Sequence, residues 1–190
     1  AYDLVHSAAV KPEDLSSLNR VVIGASHTPQ ELRDEWQKKF GFPCTVGYGL
    51  SEAPSGVTRS RHERKGVPNG AGHALDPVEI GIFDEDGKEV STGEVGEICI
   101  SARKEGKWQE VWSPMLGYWE KPEETVKALK GNMLHTGDIG SKDEDDHLTI
   151  IGRLSDLVVR GGANIYPAEI ERVLLSISSI TEAAVIGVSD

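Results

Sequence analysis

The sequence predicts a mixed α/β fold, and three observations carry that reading. Arg20-Val21-Val22-Ile23, an amphipathic helical stretch and Cys44-Thr45-Val46-Gly47 follow one another as strand, helix, strand, the order of a parallel βαβ piece. Residues 78–83 and 95–100 alternate roughly with period two around an Asp86-Gly87 turn signal, which predicts antiparallel strands. After Gly152-Arg153 a strand, a double-glycine turn and a helix pattern return.

Taken in order, residues 1–19 are weakly patterned, with Lys11-Pro12-Glu13-Asp14 reading as a turn into a short helix. The apolar run at 20–23 ends in Gly24 and suggests a buried strand. Thr28-Pro29-Gln30-Glu31 carries a capping residue, a proline suited to the first helical position and a glutamate three residues after the cap. Leu32, Trp36 and Phe40 then form one apolar stripe, and Gly41 ends the helix. Residues 53–73, rich in Gly, Pro, Ser, Arg and His, read as loop. Pro122-Glu123-Glu124-Thr125 opens a helix closed by Gly131, and residues 135–138 follow a short strand. Asp143-Glu144-Asp145-Asp146 has no spaced ligand pattern and reads as a solvated hairpin tip rather than a metal loop. Residues 157–159 form a strand, and Pro167 starts a helix whose apolar face is Ile170, Val173, Leu174 and Ile177. Residues 183–188 read as a buried strand.

Composition narrows the function classes. With 20 Lys and Arg against 31 Asp and Glu, the formal charge of the 190 residues is −11. That disfavours a nucleic-acid partner, whose phosphates need a basic face, and equally disfavours an anionic membrane surface. No apolar run approaches the roughly 20 residues of a spanning helix, and the opening Ala1-Tyr2-Asp3 carries no signal-peptide pattern. Two cysteines, Cys44 and Cys99, cannot build a disulfide scaffold, so a reducing, cytoplasmic compartment is expected.

Three constellations could carry chemistry. In Val46-Gly47-Tyr48-Gly49-Leu50-Ser51-Glu52 a strand runs into a glycine-bracketed turn with an aromatic, a hydroxyl and a carboxylate. Glycines admit a ligand close to backbone, the hydroxyl can donate to a phosphate, and a carboxylate tolerates phosphate only across a divalent cation. An ordinary β-turn with a surface Ser and Glu explains the same residues. In His135-Thr136-Gly137-Asp138 an aspartate on a glycine turn can accept two ribose hydroxyls, or simply cap its turn. In Gly152-Arg153-Leu154-Ser155-Asp156 and Gly161-Gly162-Ala163-Asn164-Ile165-Tyr166-Pro167, an arginine beside a glycine suits phosphate or ribose oxygens, and a thin double-glycine loop lets a long ligand pass. A surface ion pair and a helix-leading turn are the plainer account. Arg59, Arg61, Arg64 and Lys65 cluster in what reads as a solvated loop. A Walker loop, a complete dinucleotide fingerprint, a nucleophile elbow and a histidine metal motif are all missing from the sequence.

The order and spacing of six motifs resemble the adenylate-forming superfamily, in particular the AMP-dependent acyl-CoA synthetases. They are Gly47-Tyr48-Gly49-Leu50-Ser51-Glu52, Gly93-Glu94-Val95-Gly96-Glu97-Ile98, Gly117-Tyr118-Trp119, Thr136-Gly137-Asp138, Gly152-Arg153 and Gly162-Ala163-Asn164-Ile165-Tyr166-Pro167-Ala168-Glu169-Ile170-Glu171. The resemblance implies activation of a carboxylic acid by ATP to an acyl-adenylate, then transfer to coenzyme A. It implies that Ser51 touches a phosphate and Glu52 holds Mg²⁺, the pair counted as catalytic. Gly47, Tyr48, Gly49 and Leu50 would surround the nucleotide, with Tyr48 against the adenine and Gly24, Ala25 and Ser26 bordering it. Asp138 would bind the ribose hydroxyls, Arg153 would support ribose or phosphate, and Gly161 and Gly162 would line the coenzyme A tunnel after the C-terminal domain rotates.

The resemblance also implies an organisation. Residues 1–152 would be the C-terminal part of a large AMP-binding domain, divided into an α/β piece at 1–52 and a small antiparallel barrel-like subdomain at 66–151. Residues 153–190 would be a hinge and the start of a small α+β domain. The Gly161–Pro167 stretch is similar to that of acyl- or aryl-CoA ligases; an adenylation domain that loads a carrier protein and a non-catalytic nucleotide-binding relative are the alternatives. The superfamily's Ser/Thr/Gly-rich phosphate loop and its C-terminal lysine do not occur in these residues, so the chain is expected to be an internal fragment that does not adenylate by itself. Gly24-Ala25-Ser26 stands where Gly-Gly-Ala is common, and Ser155 where the hinge is commonly Asp or Lys.

Overall fold

The computed structural model describes residues 1–24, 28, 30–54, 56–60, 70–175, 177 and 179–188. Its first unit is the βαβ piece. Helix α1 (Tyr2–His6) precedes strand β1 (Val21–Ile23), helix α2 (Gln30–Phe40) and strand β2 (Cys44–Val46). β1 and β2 pair in parallel, Val21 beside Cys44 and Ile23 beside Val46. The stripe on α2 does what its spacing implies: Trp36 and Phe40 are buried with Cys44, packed by Val21 and Ile23. Lys39, in the last turn of α2, donates from Nζ to the carbonyls of Leu4, Val5 and Ser7 at 2.8–2.9 Å. A cation thereby satisfies the carbonyls that end α1.

The second unit is an antiparallel sheet. Its strands are β3 (Thr58–Arg59), β4 (Gly70–Ala74), β5 (Val78–Phe83) and β6 (Gly96–Ala102). After helix α3 (Pro122–Ala128) come β7 (Leu129–Lys130), β8 (Met133–Lys142) and β9 (Leu148–Arg153). The order across the sheet is β3-β4-β9-β8-β6-β5, with β7 on β8. The chain passes from Ala74 in β4 to Val78 in β5 with only Leu75, Asp76 and Pro77 between. Four residue steps reach about 14 Å, whereas four strand spacings in a flat sheet need about 19 Å. The sheet must therefore curl, and its concave core collects Val78, Ile80, Ile82, Ile98, Ile100, Leu134 and Leu148.

The third piece is small. Strands β10 (Val158–Arg160) and β11 (Ala163–Ile165) pair only with each other among the described residues, and helix α4 (Pro167–Leu175) follows.

Six expectations are corrected. The stretch read as loop at 53–73 contains β3 and β4. Gly70-Ala71-Gly72-His73-Ala74 hides its strand character because Gly72 has φ 90° and a Cβ there would collide with the Arg59 backbone. Glycine is the residue that permits that approach. Residues 135–138 lie inside the ten-residue strand β8 rather than after a short one. The helix from Pro122 stops at Ala128, and Leu129 and Lys130 pair with β8 before Gly131 turns the chain. Residues 183–188 form no strand. Ile186 and Val188 are 78% and 79% exposed, because no neighbouring strand among the described residues offers a ladder. Val22 in the strand expected to be buried is 50% exposed, because β1 pairs only with β2 among the described residues. Helix α4 stops at Leu175, so Ile177 lies beyond it, and Ile170 and Val173 on its expected apolar face are 41% and 61% exposed. The hairpin tip is as expected: Asp143–Asp146 lies between β8 and β9, with Asp143 Oδ1 accepting the amides of Asp145 and His147, each at 2.9 Å.

Candidate nucleotide site

The loop leaving β2 is tied at its base. Gly47 N donates to Ile23 O at 3.0 Å, and Ser60 N donates to Val46 O at 2.8 Å. Tyr48 O accepts the amides of Val57 and Thr58, while Tyr48 N donates to Thr58 Oγ1 at 3.1 Å. Residues 49–54 thereby leave from a fixed base, with a turn in which Ala53 N donates to Leu50 O at 3.0 Å. Ser51 and Glu52 sit on that turn. The Glu52 backbone is held from the far side by Met115 N, which donates to its carbonyl at 2.8 Å.

A pair of clefts flanks this loop. One, of about 370 Å³, is lined by Val22, Gly24, Gly47, Tyr48, Gly49 and Arg59 among others. The second, of about 560 Å³, is lined by Gly49, Leu50, Ser51, Glu52, Ala53 and Arg153 among others. Gly49 and Gly56 belong to both.

Asp138 is the electrostatic centre. Its cross-strand partner is Arg153, so register alone puts a guanidinium beside it. Arg153 Nε donates to Asp138 Oδ1 at 2.9 Å, and the Tyr48 hydroxyl donates to Asp138 Oδ2 at 2.5 Å. The Asp138 side chain is 8% exposed and that of Arg153 62%. Burial, with the Asp138 carboxylate beside it, raises the Tyr48 pKa far above its ordinary value, so Tyr48 stays a neutral donor. Each carboxylate oxygen keeps a further lone-pair direction after these bonds. Asp138 can therefore accept from two more hydroxyl groups.

Glu52 has its own partner. The Tyr118 hydroxyl donates to Glu52 Oε1 at 2.8 Å, and that bond is the main cause of the raised Tyr118 pKa. A single carboxylate facing a cavity beside a serine hydroxyl suits Mg²⁺, which keeps several waters and binds through one or two carboxylates plus phosphates. Ser51 and Glu52 thus fit the implied metal and phosphate.

The structure unites Gly24, Gly47, Tyr48, Gly49, Leu50, Ser51, Glu52, Asp138 and Arg153 around one loop. It does not bring Gly161 and Gly162 there. They form the exposed turn between β10 and β11 and line neither cleft. Ala25 and Ser26 lie outside the described residues, as do Pro29, Arg61, Arg64 and Lys65. Tyr118 was not singled out as a site residue by sequence reasoning. Its motif was visible, but nothing in a separation of 66 residues reveals the bond to Glu52.

Comparison with known proteins shows the family. The family model described as AMP-binding enzyme matches residues 1–119. The chain is 34% identical over 185 residues to the long-chain-fatty-acid–CoA ligase of Salmonella typhimurium, covering 97% of this chain and 31% of that protein. It is 37% identical over 171 residues to the 2-succinylbenzoate–CoA ligase of Geobacillus kaustophilus, covering 90% of this chain and 33% of that protein. The crystal structure of ATP-bound MatB from Rhodopseudomonas palustris superposes with a TM-score of 0.81 at 31% identity, over 98% of this chain and 36% of that one. The chain belongs to the AMP-binding enzyme family, within the adenylate-forming superfamily. It spans about a third of the length of the curated relatives it matches.

Proposed function

We propose that this chain is the nucleotide-site portion of an AMP-forming acid–thiol ligase, which activates a carboxylic acid with ATP and transfers the acyl group to coenzyme A. The observation that carries the proposal is Asp138, held between Tyr48, which lines one cleft, and Arg153, which lines the other with Ser51 and Glu52.

In this reading Asp138 accepts the ribose hydroxyls, Arg153 supports ribose or phosphate oxygens, and the Gly47–Leu50 loop with Gly24, Ala25 and Ser26 holds the base. The Tyr48 ring lies against adenine while its hydroxyl holds Asp138. Ser51 donates to a phosphate oxygen, and Glu52, oriented by Tyr118, holds Mg²⁺. The ion supplies positive charge for the phosphates when bound. The carboxylate oxygen of the acid attacks the α-phosphorus, and the bond to the pyrophosphate oxygen breaks. The thiol then takes the acyl carbon, and AMP leaves with the former carboxylate oxygen. Fixed donors at a phosphorus gaining a fifth oxygen are a strong source of rate enhancement.

Residues 1–152 are proposed as the C-terminal part of a large AMP-binding domain. Residues 153–190 are proposed as the hinge and start of a second domain, a reading supported by the separate β10–β11 pair. Gly161 and Gly162 then reach coenzyme A only after a domain rotation. The relatives named for long-chain fatty acid and 2-succinylbenzoate set the range of acids to try. A cytoplasmic setting is proposed on the two free thiols, Cys44 and Cys99. No described helix is long and apolar enough to cross a membrane.

The test is carboxylate-dependent ATP–pyrophosphate exchange in the full-length enzyme, across short, long and aromatic acids. Exchange with one class is expected, abolished by Glu52→Ala. A phosphopantetheinyl protein outcompeting free coenzyme A as acceptor would favour carrier loading. Nucleotide binding with no exchange for any acid would favour a non-catalytic relative.

A further inference from the structure

We infer that Glu97 is a positioning residue for Asp138, a role that rests on the ribose reading proposed above. The evidence is a strand irregularity. β6 and β8 pair Glu97 with Ile139 and Cys99 with His135, so Thr136, Gly137 and Asp138 together face the single residue Ile98. Such a bulge bends the strand and re-aims its side chains. Here it turns Asp138 toward Tyr48 and Arg153.

A bulge of this size leaves backbone donors outside the ladder. Glu97 supplies the missing acceptor. Its Oε1 accepts Gly137 N at 3.1 Å, and its Oε2 lies 2.8 Å from His135 Nδ1, which donates to it. Gly137 has φ 70°, a left-handed conformation suited to glycine. Thr136 Oγ1 donates to Ile98 O at 2.7 Å and accepts Asp138 N at 3.0 Å. The carboxylate thus holds the start and the middle of the bulge, while Tyr48 and Arg153 hold Asp138 at its end.

Cys99 completes a Glu–Cys–His trio whose donor atoms lie within 4.8 Å of one another. Both carboxylate oxygens already accept hydrogen bonds, and the thiol is 1% exposed. Burial and the Glu97 charge push its pKa up to about 12. The trio is a clamp on the bulge.

The experiment compares kcat/KM for ATP and 3′-deoxy-ATP in the full-length enzyme, for wild type, Glu97→Ala, Glu97→Gln and Asp138→Ala. Wild type should favour ATP by about tenfold or more, the worth of a hydrogen bond to a charged group. Glu97→Ala should lose most of that preference, because ATP loses two hydroxyl contacts to Asp138 and 3′-deoxy-ATP only one. Glu97→Gln can still accept from Gly137 N and should stay within about threefold of wild type. If Glu97→Ala does not fold, His135→Ala removes one of the two donors and should show a smaller loss of the preference. A lowered melting temperature with the ATP preference intact in Glu97→Ala, while Asp138→Ala abolishes it, would overturn the inference. Tight Zn²⁺ binding that disappears in Glu97→Ala would overturn it as well. If Asp138→Ala also keeps the preference, the ribose reading itself fails, and this inference falls with it.

Discussion

Asp138 shows how one carboxylate can be served by two partners of unequal value. The half-buried phenol of Tyr48 meets its buried carboxylate, whereas the Arg153 side chain is 62% exposed. A hydrogen bond to a buried charge contributes about 1.5–3 kcal/mol, and an exposed ion pair about 0–1 kcal/mol. Tyr48→Phe should therefore lower stability by about 2 kcal/mol. Arg153→Ala should cost about 1 kcal/mol or less, because water fills the vacated position. Urea unfolding without nucleotide measures both; an equal loss in the two variants would contradict the ranking. For nucleotide affinity the order can reverse, since Arg153 is the group left able to reach a ligand oxygen.

Among the elements, β8 decides most. It is the longest strand, it pairs with β6, β7 and β9, and it carries both the bulge and Asp138. Its second irregularity is at Ile139 and Gly140, where the register with β9 shifts. A Cβ on Gly140 would lie 2.5 Å from the Thr149 carbonyl oxygen and 2.8 Å from Ile98 Cδ1. One neighbour is backbone and the other a fully buried core side chain, so neither can yield cheaply. Gly140→Ala should cost about 1–3 kcal/mol, as overpacking does. It should also weaken nucleotide binding, because separating β8 from β9 moves Asp138 from Arg153. Gly93→Ala, with nothing within 4 Å of its Cβ, meets no such collision, although its φ of 85° adds backbone strain. Calorimetric unfolding of the two variants separates crowding from backbone strain.

Over the whole molecule, the apolar surface is unevenly covered. The sheet core is closed, yet Ile170, Leu175, Ile177, Ile186 and Val188 are 41–79% exposed on and after α4. Apolar exposure of this kind favours association. A net charge of −11 opposes it, and salt screens that charge over about 8 Å at physiological strength. The 190-residue chain should therefore self-associate more as salt rises. Replacing Ile177 and Ile186 with lysine should return it to the monomer in sedimentation velocity. Association that instead falls with salt would assign it to charge contacts.

Local pattern was enough for α2, which buries Trp36 and Phe40, and for β5, whose burial alternates, whereas β6 buries Ile98, Cys99 and Ile100 in succession. It was also enough for the family motifs, because Tyr48, Ser51, Glu52, Asp138 and Arg153 each stand in a short recognisable stretch. It failed for β4, whose glycines carry no alternation but let two backbones approach, and for 183–188, whose apolar run lacks a neighbouring strand among the described residues. The sequence by itself determined the fold class and the chemical identity of the candidate site groups, since these follow from periodicity and residue type over a few positions. Only the tertiary structure decided that Tyr48 meets Asp138 across 90 residues, that Tyr118 meets Glu52 across 66, and that Glu97 grips Gly137 across 40. Those contacts depend on sheet register and curl, which set distances between strands that no local spacing encodes.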